Sequence, residues 1–504
     1  MDERPDPDPS ETAFASGSTD GERQIAHSTA TLVGRTRELE ELISGLDSAL
    51  AGRGCLFLVS GEPGIGKSRL ADEFAANAAR RGARVLWGRC WEAGGAPAYW
   101  PWVQLLRAYL RSQDPDTIRE QMGSGATDIA QMLPEVHDLF PDVPPPPSVD
   151  PESARFRLFD STSKFLLDVG SVDPLTLVLD DLQAADIPSL LLLRFLTGQL
   201  AESRILILGA YRDVEVTPDH PLTQTISELG REPVTRHIAL RGLDEIDVGR
   251  YIEAATGAVA GPMLSSTLHR QTNGNPLFLG EAVRLLVAER RLGEDADPAA
   301  LRITMPRGIR EVIARRVDHL GEAKDALALA SVLGREFGLE PVRRLANAST
   351  DEVLELLGEA VEARLLQEVP GGVGRFRFSH DLVRETLYEE LRPVRRVRLH
   401  RRVGQILEEI HGQDIEAHLA ELAHHFFEGA PGGDVERAVD YARRAGDQAA
   451  RSLAYEEAVR LYQMGLQALE LGEEPAPKML CELLLATGDA QARAGDLPSA
   501  TETH

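Results

Sequence analysis

The chain has 504 residues, of which 43% are hydrophobic and 27% are charged. This length suffices for three or four domains, and the hydrophobic fraction is typical of globular proteins. With 80 acidic and 54 basic residues, the formal net charge is −26. A balance this acidic argues against a protein whose whole surface coats nucleic acid or binds anionic membranes.

Cysteine usage and hydropathy indicate the cellular compartment of the protein. The three cysteines lie far apart and lack C-x-x-C spacing, so the sequence predicts neither a disulfide framework nor a zinc site; they are Cys55, Cys90 and Cys481. The N-terminus lacks the apolar core of a signal peptide, and no run of 18 apolar residues occurs. We therefore predict a cytoplasmic protein without a membrane partner.

The first half of the chain alternates between strand and helix patterns. Residues 1–30 are polar, acidic and proline-rich, which predicts a disordered acidic tail. Apolar stripes then predict helices over residues 37–50 and 68–80, and short apolar runs predict buried strands at 55–59, 84–87, 175–179 and 205–209. This alternation predicts an α/β core over residues 31–242, built on a doubly wound parallel sheet.

Later segments have a different pattern. Residues 141–151 contain six prolines and indicate an extended surface loop. Beyond residue 243 strand signals fade, and residues 243–305 and 306–370 have helical patterns. The segment Phe376-Arg-Phe378 predicts one short strand. From residue 403 onward, the alanine-rich sequence predicts helices almost throughout.

The segment Gly61-Glu-Pro-Gly-Ile-Gly-Lys-Ser68 matches G-x-x-x-x-G-K-[ST] in full and lies between a predicted strand and a predicted helix. Its glycines let backbone N–H groups face phosphates at the start of a helix; they are Gly61, Gly64 and Gly66. Lys67 is expected to reach the β- and γ-phosphates and Ser68 to bind Mg²⁺. Only four of the 54 basic residues are lysine, so an ordinary glycine-rich turn seldom matches this motif by chance.

Polar residues also follow two other predicted strands. Asp180 and Asp181 end the strand at 175–179, where carboxylates serve Mg²⁺-nucleotide chemistry beside a phosphate loop. Asp180 is expected to hold Mg²⁺ through water, and Asp181 to orient or deprotonate the attacking water. Arg212 follows the strand at 205–209 and is expected to contact the γ-phosphate. The alternatives are an ordinary Asp-Asp turn and a solvated arginine.

Four segments carry a family resemblance: Leu32-Val-Gly-Arg35 with Arg37-Glu-Leu39, the phosphate loop, Asp180-Asp181-Leu-Gln-Ala-Ala-Asp186, and Tyr211-Arg212. Together they resemble the AAA-type P-loop NTPase module of STAND ATPases, and most closely the ATP-binding part of large LuxR-type bacterial transcriptional regulators. The resemblance covers about residues 31–504. It implies ATP or ADP and Mg²⁺ as ligands.

The resemblance also implies further domains and contacts. Val33, Gly34 and Arg35 would line the adenine site, and Arg212 would be the sensor. Residues 243–305 would form an all-α lid, in which Pro276 packs near the adenine. Residues 306–402 resemble a winged-helix domain. Its Phe378-Ser-His-Asp381 segment is similar to the His-Asp motif of immune receptors, which implies that His380 contacts the β-phosphate of ADP; a histidine bonded within its own turn is the alternative.

This sequence departs from the family pattern in two respects. Gln183-Ala184 replaces the usual His-Trp after the Asp-Asp-Leu segment, a change that we expect to touch no proposed ligand. No DNA-binding helix-turn-helix follows the helical region, so the resemblance implies DNA contact only through a missing C-terminal domain.

Three clusters have simpler interpretations. Four tryptophans within residues 87–102 indicate a hydrophobic mini-core, with a ligand platform as the alternative. Six arginines within residues 392–402 indicate an intramolecular role, with DNA contact as the alternative. The pair His424-His425 lacks a third ligand at helical spacing, so we predict that it binds no metal.

The C-terminal helices show a degenerate repeat pattern. Gly446, Ala458 and Tyr462 fall at tetratricopeptide (TPR) offsets, and Gly488 and Ala500 repeat the first two. Residues 403–504 are therefore expected to form a TPR-like α-solenoid that binds an inducer or a protein partner. Because a solenoid needs a polar capping helix, we expect the chain to be a fragment or a truncated product.

These features favour a signal-transduction switch with slow Mg²⁺-dependent ATP hydrolysis. ADP would hold it closed, and ATP would open it for homo-oligomerisation. One alternative is a DNA-remodelling ATPase of the initiator or clamp-loader type. Another is a scaffold that binds nucleotide without hydrolysing it.

Overall fold

A five-stranded parallel sheet organises the first part of the protein. The computed structural model describes residues 32–91, 94–288, 309–318, 320–369, 372–412, 414–472 and 477–503. The predicted tail at 1–30 lies outside these residues. The strands are β1 Cys55–Ser60, β2 Arg84–Arg89, β3 Leu175–Asp180, β4 Ile205–Tyr211 and β5 Thr235–Ala239, and their order across the sheet is β2-β3-β4-β1-β5.

Helices cover both faces of this sheet. They are α1 Thr36–Leu50, α2 Lys67–Arg80, α3 Trp100–Ser112, α4 Pro115–Met122, α5 Ala126–Ile129, α6 Glu135–Leu139, α7 Pro151–Val172, α8 Ile187–Thr197 and α9 Pro221–Leu229. Alternate residues of β1 enter different cores: Leu56 and Leu58 join one cluster, while Phe57 joins the other. The predicted doubly wound parallel sheet is confirmed.

The sequence prediction missed one strand of this sheet. β5 pairs with β1 in parallel at the sheet edge, and most of its residues are exposed or half-buried. It therefore lacks the continuous apolar run that identified its four neighbours. The predicted proline-rich loop is confirmed, because residues 143–150 have no regular structure and are largely exposed.

The tryptophan segment packs on the sheet next to β2. Trp102 is 1% exposed, and its indole N–H donates to the backbone oxygen of Ser189 on α8 at 3.1 Å. Helix α3 lies so close to β2 that a Cβ at Gly88 would overlap the backbone of Pro101. For Trp102 these contacts confirm the mini-core interpretation.

Three helices follow the sheet and have their own core. They are α10 Glu245–Thr256, α11 Pro262–Thr272 and α12 Pro276–Ala288. Leu243, Val248, Ile252 and Leu279 are buried between them. The described part of the predicted lid is therefore helical, while residues 289–305 lie outside the described residues.

A mixed unit comes next. Its helices are α13 Ile309–Asp318, α14 Ala323–Leu333, α15 Leu339–Ala346, α16 Thr350–Glu362 and α17 Asp381–Glu390, and its strands are β6 Glu336–Gly338, β7 Leu366–Glu368 and β8 Arg375–Phe378. The strands form an antiparallel sheet in the order β6-β8-β7. The predicted strand at Phe376–Phe378 is the central one, and its phenylalanines pack against Phe337.

The remaining helices follow one another through short connections. They are α18 Pro393–His411, α19 Leu419–Gly429, α20 Val435–Arg451, α21 Tyr455–Glu470, α22 Pro477–Ala494 and α23 Leu497–Thr503. Helix α18 is continuous across the boundary that we predicted between residues 402 and 403. One helix is therefore shared by the two predicted segments. Among the described residues, no helix is long and apolar enough to span a bilayer.

Helix α21 also contacts the first part of the chain. Arg155 on α7 forms an ion pair with Glu456 at 2.8 Å, and the Tyr99 hydroxyl donates to the backbone oxygen of Leu453 at 3.4 Å. Asp186, which caps α8, lies near Glu457. Burial raises the pKa of Asp186 to about 6, and the nearby Glu457 carboxylate also raises it. The hydrogen bonds from Ser189 act in the opposite direction.

The raised pKa of the Asp186 carboxyl leads us to expect that the stability of the folded protein depends on pH. A pKa raised on folding means that the folded state binds the proton more tightly, so this group lowers stability as the pH rises from about 4 to 6. An asparagine side chain at this position can still cap α8. We expect Asp186→Asn to raise the free energy of unfolding at pH 8 by up to about 2 kcal/mol. Thermal unfolding of both proteins should show this difference vanishing below pH 4; a constant difference would contradict the assignment.

Gly446 allows a test of the close packing between α20 and α21. A Cβ at this position would overlap the Tyr462 ring, whereas one at Gly358 on α16 would meet nothing within 4 Å. Gly446→Ala should lower stability by about 1–3 kcal/mol through overpacking. The control, Gly358→Ala, should raise it by about 0.5–1 kcal/mol through helix propensity. Thermal unfolding that shifts both variants in the same direction would contradict this geometry.

Candidate nucleotide-binding site

The glycine-rich segment lies between β1 and α2, as predicted. Gly61, Gly64 and Gly66 all have positive φ values of 151°, 78° and 105°, a backbone that other residues seldom adopt. No side chain caps the N-terminus of α2, so its first N–H groups face the loop. A backbone curled in this way at a helix N-terminus can bind a phosphate anion.

Lys67 folds back over the loop. Its ammonium donates to the backbone oxygens of Gly61 at 2.7 Å and Glu62 at 3.0 Å. Burial lowers its pKa and the Arg212 guanidinium adds to this effect, while nearby aspartates oppose it. Because these two carbonyl oxygens hold the ammonium beside the loop, a phosphate bound there can accept a charge-assisted hydrogen bond from it.

The predicted magnesium ligands lie together. The Ser68 hydroxyl donates to Asp180 Oδ2 at 3.1 Å, although 112 positions separate them in the chain. Asp180 ends β3 and is 1% exposed. Arg89 at the end of β2 lies 3.5 Å from the same carboxylate oxygen, a contact that the sequence analysis missed. A hydroxyl beside a carboxylate is the oxygen donor set that Mg²⁺ favours.

Asp181 is the most constrained group in the site. It has a left-handed backbone, with φ 59°, and its carboxylate lies 2.7 Å from the guanidinium of Arg335. Burial and the neighbouring Asp180 raise the pKa of Asp181 to about 6, and Arg335 acts in the opposite direction. A carboxylate with a raised pKa is suited to accept a proton from water.

Gln183 corrects one prediction. We expected the Gln183-Ala184 departure to touch no proposed ligand, but the Gln183 amide donates to Asp181 at 3.2 Å. Its oxygen also accepts the backbone N–H of Arg212 at 3.0 Å. The amide therefore bridges the ends of β3 and β4, since these strands are adjacent and parallel.

Arg212 is turned toward the mixed unit. Its guanidinium lies 3.1 Å from Asp381 and 3.1 Å from Glu385, both on α17. It lies further from Asp181, at 3.9 Å. The side chain is 7% exposed, so these charges are removed from water. The alternative of a solvated arginine is wrong.

Arg335 completes the cluster, and the sequence analysis missed it. It lies between α14 and β6 and contacts Asp181 at 2.7 Å and Asp381 at 2.8 Å. The guanidinium groups of Arg212 and Arg335 thus face the carboxylates of Asp181 and Asp381. Each side of the contact supplies one arginine and one aspartate. We call Asp181, Arg212, Arg335 and Asp381 the clamp. With arginine so abundant in this chain, no pattern distinguished Arg335 from the others.

His380 precedes α17, and part of the residue is open to solvent. Desolvation lowers its pKa, and the cations Arg335 and Arg284 add to this effect. Within the described residues, no hydrogen bond or ion pair links His380 to the phosphate loop. Asp381, one residue further, is the clamp residue that contacts Arg212 and Arg335.

The Val33-Gly34-Arg35 segment lies between the phosphate loop and α10. Arg35 donates to the backbone oxygens of Ile65 at 3.0 Å and Arg241 at 2.6 Å. A Cβ at Gly34 would lie 2.6 Å from an Asp247 carboxylate oxygen. The structure therefore brings this predicted adenine segment beside the loop that would hold the phosphates.

The N-terminal end of α12 packs over the phosphate loop. Asn275 donates to the backbone oxygen of Pro63 at 2.9 Å, and the Leu277 N–H donates to that of Gly64 at 3.2 Å. Pro276 begins the helix between these two contacts. A Cβ at Gly64 would lie 2.7 Å from Leu277 Cβ, so this glycine permits the close approach.

Two other predicted clusters fall outside this site. The arginine run pairs with acids of the same chain: Arg395 lies 3.3 Å from Asp325, and Arg401 lies 2.7 Å from Asp434. The intramolecular interpretation is supported for these two. No third histidine lies at helical spacing from His424-His425, but His400 from α18 lies against both rings, a contact that the sequence analysis missed.

These features give the first part of the chain the architecture of a P-loop NTPase core. Residues 31–208 match the AAA ATPase domain family. An uncharacterized protein of Rhizobium meliloti (strain 1021) is 26% identical over 455 residues. That match covers 85% of this chain and 42% of the relative, so the chain spans less than half of the relative's length.

Solved structures of AAA-type proteins are also similar to this chain. A STAND protein with a tetratricopeptide repeat sensor from Pyrococcus horikoshii matches with 15% identity and a TM-score of 0.46, over 94% of this chain and 77% of that one. Cdc6p from Pyrobaculum aerophilum matches with 12% identity and a TM-score of 0.31, over 73% of this chain and 98% of that one.

Lys67 gives a direct test of the phosphate loop. Removing its ammonium in Lys67→Ala deletes a charge-assisted hydrogen bond to phosphate worth roughly 1.5–3 kcal/mol, so ADP affinity should fall about 10- to 150-fold. The control is Lys164→Ala, which removes an exposed lysine on α7. Titration calorimetry with ADP and Mg²⁺ measures both; equal affinity in the two variants would contradict the site.

Proposed function

We propose that this protein is an ATP-binding signal-transduction switch of the STAND class, the regulatory part of a LuxR-type transcriptional regulator. In this proposal the mixed unit is a winged-helix domain and the last helices are TPR-like repeats. The observation that carries it is the clamp, because Arg212 and Asp181 are bound by residues of the mixed unit. Arg212 and Asp181, which are expected to act on ATP, are thus held by the mixed unit. The mixed unit would have to move to release them.

The site fits a nucleotide with magnesium. The loop glycines and Lys67 would bind the phosphates, and Ser68 and Asp180 would hold Mg²⁺. The metal supplies charge neutralisation at the phosphate oxygens. Val33, Gly34, Arg35 and Pro276 would enclose the adenine, in keeping with the contacts of Arg35 to Ile65 and of Leu277 to Gly64 in the loop.

Hydrolysis would use Asp181. Its carboxylate would orient a water and accept its proton, a role that its raised pKa supports. While Arg335 occupies that carboxylate at 2.7 Å, the same oxygen is not available to water. The clamped arrangement would therefore hydrolyse ATP slowly.

The two nucleotides would favour different states. A γ-phosphate beside Arg212 would compete with Asp381 for the guanidinium, whereas ADP would leave that pair intact. Separating one partner of a buried ion pair costs about 3–5 kcal/mol, so the clamp opens only when phosphate replaces the carboxylate. A ligand shifts the equilibrium only by this difference in affinity.

The repeat helices would supply the input. Arg155–Glu456 and Tyr99–Leu453 attach α21 to the ATPase domain at positions away from the phosphate loop. An inducer or protein partner that binds the repeats could weaken these contacts and favour the open state. Opening would expose surfaces for a nucleotide-dependent homo-oligomer.

The clamp yields the decisive experiment. Arg335→Gln removes the guanidinium that contacts both Asp181 and Asp381 and leaves the Gln183 and Arg212 contacts in place, so we expect faster mant-ADP dissociation and faster ATP turnover, each by roughly 10-fold. Arg375→Gln is the control. It removes the exposed ion pair between Arg375 and Glu336, which lies on the antiparallel sheet of the mixed unit. Asp181→Asn should abolish turnover and retain binding.

Each outcome discriminates among the hypotheses. Turnover that Asp181→Asn leaves unchanged would contradict hydrolysis at this site. Arg335→Gln kinetics identical to those of the Arg375→Gln control would contradict the clamp. Absence of turnover in all variants would favour the nucleotide-binding scaffold, and salt-sensitive DNA binding by the whole chain would favour the remodelling ATPase.

A further inference from the structure

Three histidines from two helices meet away from the nucleotide site. His400 lies on α18, and His424 and His425 lie on α19. One ring nitrogen of each lies within 4.8 Å of the other two. His400 Nδ1 and His425 Nδ1 are 3.0 Å apart.

We propose that His400, His424 and His425 form a binding site for one divalent transition-metal cation, Zn²⁺ in the cell. Two nitrogens that each lie 2.0–2.1 Å from a tetrahedral Zn²⁺ are separated by roughly 3.3 Å. The His400–His425 pair is already near this separation. The His424 nitrogen lies within 4.8 Å of the other two and would move closer on binding.

A second contact supports this arrangement. The other ring nitrogen of His400, Nε2, lies 2.9 Å from the Tyr388 hydroxyl on α17. When Nδ1 binds a metal, Nε2 carries the proton and can donate it to that oxygen. Metal-bound histidines commonly donate in this way, which fixes the tautomer and the ring plane.

The protonation state of the rings also suits a metal. Burial lowers the pKa of His400 to about 3 and that of His424 to about 4, and it lowers the pKa of His425 as well. All three are therefore neutral at pH 7, and none must lose a proton before it binds a cation.

The ligand set determines the choice of metal. Three imidazoles without a carboxylate favour Zn²⁺, Cu²⁺, Ni²⁺ or Co²⁺ over Mg²⁺ and Ca²⁺. Arginines contribute positive charge around the cluster: Arg396 acts on His400, and Arg384 and Arg460 act on His424. This charge opposes a cation, so we expect weaker binding than at a structural zinc site with thiolate ligands.

Access is through His424, which is half-buried while the other two are buried. Its ring lies against the loop that follows β2, where a Cβ at Gly94 would lie 2.8 Å from His424 Nδ1. A water can complete the coordination on this side. A bound ion would thus join α18 to α19 at a point where the ATPase domain touches them.

The test is a metal titration of the full-length, untagged protein after chelator treatment, with a thiol-free reductant present. We expect calorimetry to show one Zn²⁺ per chain, and Co²⁺ to give the visible absorption of a tetrahedral nitrogen site. His424→Ala should weaken Zn²⁺ binding more than about 100-fold, and Tyr388→Phe roughly 10- to 100-fold. Mg²⁺ should not compete.

His411→Ala with His418→Ala is the matched control, because these two histidines stack on each other in the connection between the same two helices. This variant should keep the site. Zinc binding lost in the control, or kept in His424→Ala, would overturn the assignment. No zinc binding by the wild type would mean that Tyr388, His400 and His425 form only a hydrogen-bond chain. Circular dichroism of metal-free variants checks folding, and Tyr388→Phe keeps the test valid if His424→Ala unfolds.

Discussion

Two arginines and two aspartates connect the ATPase domain to the unit that follows it; three of these side chains are buried and that of Arg335 is 21% exposed. Asp181 and Arg212 come from the ends of adjacent parallel strands, and Asp381 and Arg335 come from the facing helix and loop. In such a place each charge depends on its partners, since a lone buried ion costs several kcal/mol. The contact is therefore close to all-or-none, which suits a switch better than a gradual adjustment.

The order of strands explains why this contact forms at the carboxyl end of the sheet. β4 lies between β1 and β3, so Arg212, the residue after β4, lies beside the end of β3 and 3.9 Å from Asp181. Parallel strands bring their carboxyl ends to one edge, and ligands bind there. The mixed unit docks on this same edge, through Asp381 and Arg335.

The parts of the site that are local in sequence could be predicted. The phosphate loop and the Asp180-Asp181 pair each follow an apolar run, so periodicity and motif located them together. Gln183, Arg335 and His400 could not be found in this way, because their partners lie elsewhere in the chain and their residue types carry no local signal. β5 was missed for a related reason: an edge strand that is half exposed lacks an apolar run.

Helix α18 has a mechanical consequence. Its 19 residues form a rod of roughly 28 Å. The rod begins beside the mixed unit, carries His400 near its middle and ends beside the helices that follow it. A continuous hydrogen-bonded helix is stiffer than a flexible linker. A tilt of the mixed unit is therefore passed through α18 to α19, the helix packed against it.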